Sequence, residues 1–220
     1  LHNRKHSFPT RRSSDLLPYT VHYVDIGKGD QFDPEFLKIA PNNRMPAIVD
    51  PEGPDGEPIS VFESGAILQY LARKTGRFSG KTERERVAVE EWLMWQMGGV
   101  GPMAGQAHHF LHYAPEDVPY GKERYRNEVN RLYGVLNRRL AGRDFVAGFY
   151  SIADMAIWPW ARGWKRQEQD IEAFPHMKAW LERVGARPEV QAGMAVGQER
   201  KTDLSTDKDA QKVLFGQRAR

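Results

Sequence analysis

Met45-Pro46-Ala47-Ile48-Val49-Asp50, a turn rich in Gly, Pro and acidic residues from Pro51 to Pro58, and Ile59-Ser60-Val61-Phe62-Glu63-Ser64-Gly65-Ala66-Ile67 form the stretch whose reading decides the fold. The first run reads as a short buried strand entered through a proline, and the last opens with its antiparallel partner. Ser64 then caps a helix to about Lys74, with Ile67, Leu68 and Leu71 on its inner face and Gly76 as its stop.

Outward toward the N-terminus, Tyr19 to Ile26 alternates and is rich in Val and Tyr, which predicts a strand ended by Gly27-Lys28-Gly29-Asp30. Asp33 as N-cap and Pro34 at the first helical position start a short helix that stops before Pro41. The order of strand, helix, two-stranded hairpin and helix describes a thioredoxin-like unit without its first strand and helix.

Outward in the other direction, the chain becomes helical after residue 80. Thr82 and Glu85 form a capping box for a helix carrying Trp92 and Trp95, which Gly98-Gly99 and Gly101-Pro102 should interrupt. Pro119 to Leu140 forms a long helix with Tyr125, Val129, Leu132, Tyr133, Leu136 and Leu140 as its apolar stripe. Ser151 and Asp154 have capping-box spacing and open a helix holding Trp158 and Trp160, with Trp164 beyond; both capping residues read as structural. Pro175 starts a last helix to about Arg187, and from Gly197 onward the sequence reads as a frayed polar tail. The expected fold is therefore α/β followed by all-α, with domains at 17–78 and 81–196 and a tail at 197–220.

Residues 1–16 are set apart. His6-Ser-Phe-Pro-Thr-Arg-Arg-Ser-Ser-Asp-Leu16 reads as the in-frame translation of a sequencing adapter, a foreign segment to be excluded from fold reasoning. Native sequence is then expected from about Leu17.

The chain has 220 residues, 40% apolar and 28% charged, ordinary values for a globular protein with a proper core. The net charge of +3 is carried by residues 1–16, where Arg4, Lys5, Arg11 and Arg12 outnumber Asp15, so the remainder balances to zero. A nucleic-acid partner is excluded for want of a basic face. No apolar run approaches the roughly 20 residues needed to cross a bilayer, so no membrane partner is expected. There is no cysteine, so any thiol chemistry must use a sulfur brought in by a small molecule.

Three runs resemble the nu class of the glutathione S-transferase superfamily: Asp25-Ile26-Gly27-Lys28-Gly29-Asp30-Gln31-Phe32, Pro41-Asn42-Asn43-Arg44-Met45-Pro46-Ala47-Ile48-Val49-Asp50 and Phe62-Glu63-Ser64-Gly65-Ala66-Ile67. Gly101-Pro102-Met103 with Gln106, His108-His109-Phe110 and Ser151-Ile152-Ala153-Asp154 extend the likeness, which spans about Leu17 to Arg187. That class contains bacterial glutathione-dependent disulfide-bond oxidoreductases and relatives of a yeast nitrogen-regulator prion protein. The resemblance implies a cytoplasmic homodimer that uses glutathione to reduce small disulfides, or acts on peroxides or electrophiles. A non-catalytic glutathione-binding or regulatory protein on the same fold is the alternative.

The resemblance also assigns roles. Pro46 is either a loop proline or, as in the family, a cis residue that turns the Met45 backbone outward to pair with the cysteinyl part of glutathione. Ser64 is either a simple N-cap or a donor to the γ-glutamyl carboxylate at a helix start, with Glu63 accepting from the ammonium. Gln31 matches a residue that hydrogen-bonds glutathione. Arg124 matches an arginine reaching the same site, although an arginine on a long helix is also commonly solvated or ion-paired. Histidines 108, 109 and 112 could suggest a metal, but the family carries this pattern without one, and no metal is expected. No catalytic residue is assigned. The class activates the glutathione sulfur from a Thr-Pro-Asn type loop after the first strand, which the adapter segment replaces here.

Overall fold

The computed structural model describes residues 17–200 and 207–217; the adapter-like segment at 1–16 lies outside the described residues. Ala47–Asp50 (β1) and Ile59–Phe62 (β2) form an antiparallel hairpin in the register Ala47↔Phe62 to Asp50↔Ile59. The connecting turn needs glycine at Gly53, where a Cβ would meet the Glu57 carbonyl at 2.4 Å. Pro34–Ile39 (α1) starts on Asp33, whose carboxylate accepts from the Glu35 N–H at 2.7 Å. Ser64–Thr75 (α2) ends on Gly76 in the left-handed conformation. The hairpin is tied to α2 through Asp50, which accepts from the Tyr70 hydroxyl at 2.6 Å and pairs with Lys74. The Lys74 and Tyr70 hydrogen bonds hold the Asp50 carboxyl down at about 2.

Two expectations for this half change. Tyr19 to Asp25 has no regular secondary structure and Ile26 opens a turn, because among the described residues the sheet contains only β1 and β2 and offers the segment no ladder partner. Its alternate side chains Tyr19, Val21 and Tyr23 stay exposed. The helix start is also one residue earlier than read. Glu63 is the N-cap, held at φ 68°, and Ser64 is the first helical residue.

Glu83–Trp95 (α3) carries the Thr82/Glu85 capping box in full. The glycines after it do not interrupt the helix. Gln96–Val100 widens into a π turn that leads directly into Gly101–His108 (α4), and a second π turn spans His109–Tyr113. Pro102 lacks an N–H, and a widened turn is one way a helix absorbs that missing donor. Pro119–Leu140 (α5) has the expected bounds, with Val129, Leu132, Tyr133, Leu136 and Leu140 buried. Ile152–Ala161 (α6), Pro175–Gly185 (α7) and Pro188–Ala195 (α8) follow, so the helix read from Pro175 is present to Gly185 but is not the last, since Pro188 starts another.

Trp180, Tyr133, Leu136, Leu140 and Met177 fill the main helical core. Each fully buried large apolar side chain contributes about 1.5–3 kcal/mol. A second cluster joins the halves: Ala72 of α2 packs with Val89 and Leu93 of α3 and with Ile152, Ala153 and Ala156 of α6.

The tail expectation fails at its far end. Lys208–Phe215 (α9) is a helix capped by Asp207, which accepts from the Asp209 and Ala210 N–H groups. Ala210 is buried, and the Phe215 ring lies 5.0 Å from that of His109 and 5.5 Å from that of Tyr113. Asn43 donates to the Gln217 side chain at 3.0 Å, so this segment touches both halves. A mean-polar sequence concealed it because only one narrow face meets the protein.

Candidate functional site

Because Ala47 pairs with Phe62, the residues before β1 and after β2 emerge at one end of the hairpin. Met45, Pro46, Glu63 and Ser64 are therefore neighbours. The Met45-Pro46 bond is cis. The ladder begins only at Ala47, which leaves the Met45 N–H and C=O outside it, and the Met45 side chain is exposed.

The first turn of α2 faces the same end. Glu63 makes no side-chain cap, and the Ile67 N–H donates to the Glu63 carbonyl at 2.9 Å. The N–H groups of Ser64, Gly65 and Ala66 precede that bond and have no acceptor within the helix. No acidic residue lies in the first turn, so the positive end of the dipole is uncompensated there. Glu63 turns its carboxylate back to accept from Asn42 at 3.2 Å. The Ser64 hydroxyl lies 3.8 Å from the Met97 sulfur. This end can hold an anion on the helix start, an ammonium on Glu63 and an extended peptide along Met45.

Gln31 and Arg124 are each engaged in contacts of their own. Gln31 follows Gly29, which takes a left-handed φ of 89°, and its side chain is turned inward, donating to the Ile26 carbonyl at 3.3 Å. Its own carbonyl oxygen is buried without a partner. Arg124 sits on the exposed face of α5, and its guanidinium reaches Glu128 one turn along at 3.8 Å. Two contacts to the set, from Asn42 and Met97, carried no assigned role in the sequence. Asn42 lies within a recognised motif, whereas Met97 is 33 positions from Ser64 and left no local signal.

Burial, with help from Arg166 and His112, depresses the His108 pKa to about 4, so its ring is neutral near pH 7. Among the described residues no group of three or more His, Cys, Asp or Glu side chains could hold a metal ion, and no helix is long and apolar enough to cross a membrane.

A hairpin entered through a cis proline, an open helix start beside it and a helical second half fit the two-part fold expected of a glutathione transferase. The chain belongs to the glutathione S-transferase family: the N-terminal domain model matches residues 15–73 and the C-terminal domain model residues 101–188. It is 56% identical over 174 residues to the disulfide-bond oxidoreductase YfcG of Escherichia coli, covering 78% of this chain and 81% of that protein. It is 39% identical over 186 residues to the E. coli disulfide-bond oxidoreductase YghU, covering 81% of this chain and 64% of the relative. A glutathione transferase from Pseudomonas putida, solved with one glutathione disulfide per subunit, superposes with a TM-score of 0.79 at 43% identity, over 82% of this chain and 81% of that one. Ure2p in complex with glutathione gives a TM-score of 0.73 at 32% identity, over 80% and 86%. Glutathione-dependent function and enzyme class follow from these matches; individual residue roles do not.

Proposed function

We propose that this protein is a nu-class glutathione-dependent disulfide reductase whose glutathione contacts are Met45, Pro46, Glu63 and Ser64. The observation that carries the assignment is their convergence at one end of the hairpin, ahead of an uncapped helix start. The Met45 backbone pairs with the cysteinyl unit, the α2 N–H groups and Ser64 hydroxyl take the γ-glutamyl carboxylate, and Glu63 takes the ammonium. Gln31 braces the neighbouring loop, and Arg124 reaches the site only by leaving Glu128. Small disulfides are the substrates, with peroxides and electrophiles as further acceptors of the glutathione sulfur. The protein works as a cytoplasmic homodimer, as membership of the glutathione S-transferase family leads one to expect.

Calorimetric titration with glutathione tests the contacts. Ser64→Ala removes one charge-assisted hydrogen bond of about 1.5–3 kcal/mol, so Kd rises about 10- to 100-fold. Unchanged affinity refutes the assignment. A second reading is glutathione binding without catalysis, since the roles proposed for the four converging residues hold glutathione and none acts on its sulfur. Turnover of 2-hydroxyethyl disulfide with glutathione, measured on the gene product carrying its native segment in place of residues 1–16, separates the two, since binding without turnover there supports only the second. The chain with the adapter-like segment is expected near background.

A further inference from the structure

Met97 lies across the open start of α2. Besides the 3.8 Å approach of its sulfur to the Ser64 hydroxyl, a Cβ placed on Gly65 would stand 3.1 Å from Met97 Cγ and Sδ and 3.2 Å from Cε. The thioether therefore rests on the bare backbone of the turn that presents the carboxylate site. Met97 belongs to the π turn at Gln96–Val100 and is half-buried at the edge of the cluster joining the two halves. A thioether is a weak acceptor, so the Ser64 hydroxyl leaves it readily for a carboxylate. Oxidation converts the same sulfur into a polar sulfoxide, whose oxygen is a much better acceptor.

We propose that Met97 is a modification site whose oxidation by a hydroperoxide ties up the Ser64 hydroxyl and weakens glutathione binding. In the step, the peroxide O–O bond breaks, one oxygen passes to sulfur, and the sulfur gives up two electrons. Hydrogen peroxide leaves as water and an organic hydroperoxide as its alcohol. A methionine sulfoxide reductase with a dithiol reverses the change, the oxygen departing as water. The inference rests on Ser64 as a carboxylate contact and places a peroxide-sensitive brake on that contact.

The test treats the full chain with hydrogen peroxide, removes the peroxide by desalting, and titrates with reduced glutathione in a calorimeter. Peptide mass spectrometry follows Met97 alongside the exposed Met45 and Met94. With Met97 oxidised, Kd rises about tenfold or more, as for a lost hydrogen bond to a charged group, and sulfoxide reductase restores it. Met97→Leu, which has no acceptor, abolishes the rise although Met45 and Met94 still oxidise. In Ser64→Ala the oxidation adds no further loss, whereas a merely structural effect of the sulfoxide would weaken both backgrounds alike. Three results each overturn the proposal: Met97 sulfoxide with unchanged affinity, the same rise in either variant, or a Met97 that stays reduced while Met45 and Met94 oxidise. Failure of the Ser64 assignment shows separately, as Ser64→Ala binding glutathione like the unsubstituted chain before any peroxide is added.

Discussion

Replacing Asp154 tests how the helical half is held together. Asp154 is fully buried, and its two oxygens serve four donors. Oδ1 accepts from the Val146 N–H at 3.0 Å and the Trp180 Nε1–H at 2.8 Å, and Oδ2 accepts from the Ser151 N–H and hydroxyl, both at 3.1 Å. Burial pushes its carboxyl upward, opposed by these donors. Asp154→Ala strands the two backbone donors and the indole, while the Ser151 hydroxyl can turn elsewhere. Three buried unpaired donors at about 1–3 kcal/mol each give a loss of about 3–9 kcal/mol, comparable with the 5–15 kcal/mol of total stability typical of a domain. Asp154→Asn keeps one acceptor edge. If its amide N–H₂ faces Ser151, the hydroxyl accepts from it and only the Ser151 N–H is stranded, a loss of about 1–3 kcal/mol. Ser151→Ala removes the hydroxyl's bond to the carboxylate and its half of the capping box and costs about 1 kcal/mol. Urea unfolding followed by tryptophan fluorescence reads all three, because Trp180 sits on the carboxylate itself. The expected order is Ala worst, then Asn, then Ser151→Ala. An Asp154→Ala chain within about 1 kcal/mol of the unsubstituted protein would refute the reasoning, since no repacking supplies three buried acceptors.

Other expectations concern pH, the last helix and assembly. His108 is neutral in the folded protein, with a pKa of about 4 against 6.5 unfolded, so the unfolded chain takes up a proton first as pH falls. Stability conferred by this ring is full above 6.5 and declines toward 4, by about 1 kcal/mol between pH 7.5 and 5.5. That slope disappears in His108→Phe, and urea midpoints at the two pH values check it. Phe215→Ala removes ring contacts with His109 and Tyr113 worth about 1 kcal/mol, so amide exchange in Lys208–Phe215 accelerates about fivefold with little change in α5. Light scattering should give twice the chain mass, and a monomer would refute the proposed dimer.

Much of the architecture was legible because its signals are local. Pro46 before an apolar run, Asp33-Pro34, Thr82 with Glu85 and Ser151 with Asp154 each satisfy or remove particular backbone groups within four residues. The stripe of α5 was legible because a helix repeats its face every turn, and the core accepts only that face. Where a segment depends on a distant partner, the local signal misled. Tyr19 to Ile26 has strand composition but no ladder to join, and Gly98 to Pro102 has breaker composition in a helix that continues by widening. The polar tail hid α9 because Phe215 and, just beyond the helix, Gln217 acquire meaning only against His109, Tyr113 and Asn43.

The sequence alone determined the two halves, their capping and the hairpin carrying Met45, Pro46, Glu63 and Ser64, because strand alternation, helix periodicity and caps are written in neighbouring residues. Only the tertiary structure decided what the expected site residues touch: the hairpin register gathers four of them, while Gln31 donates to the Ile26 carbonyl and Arg124 reaches Glu128. It also brought Met97 onto Ser64 across 33 residues. Contacts of that length depend on how separate helices pack, and packing complementarity leaves no pattern in either segment read singly.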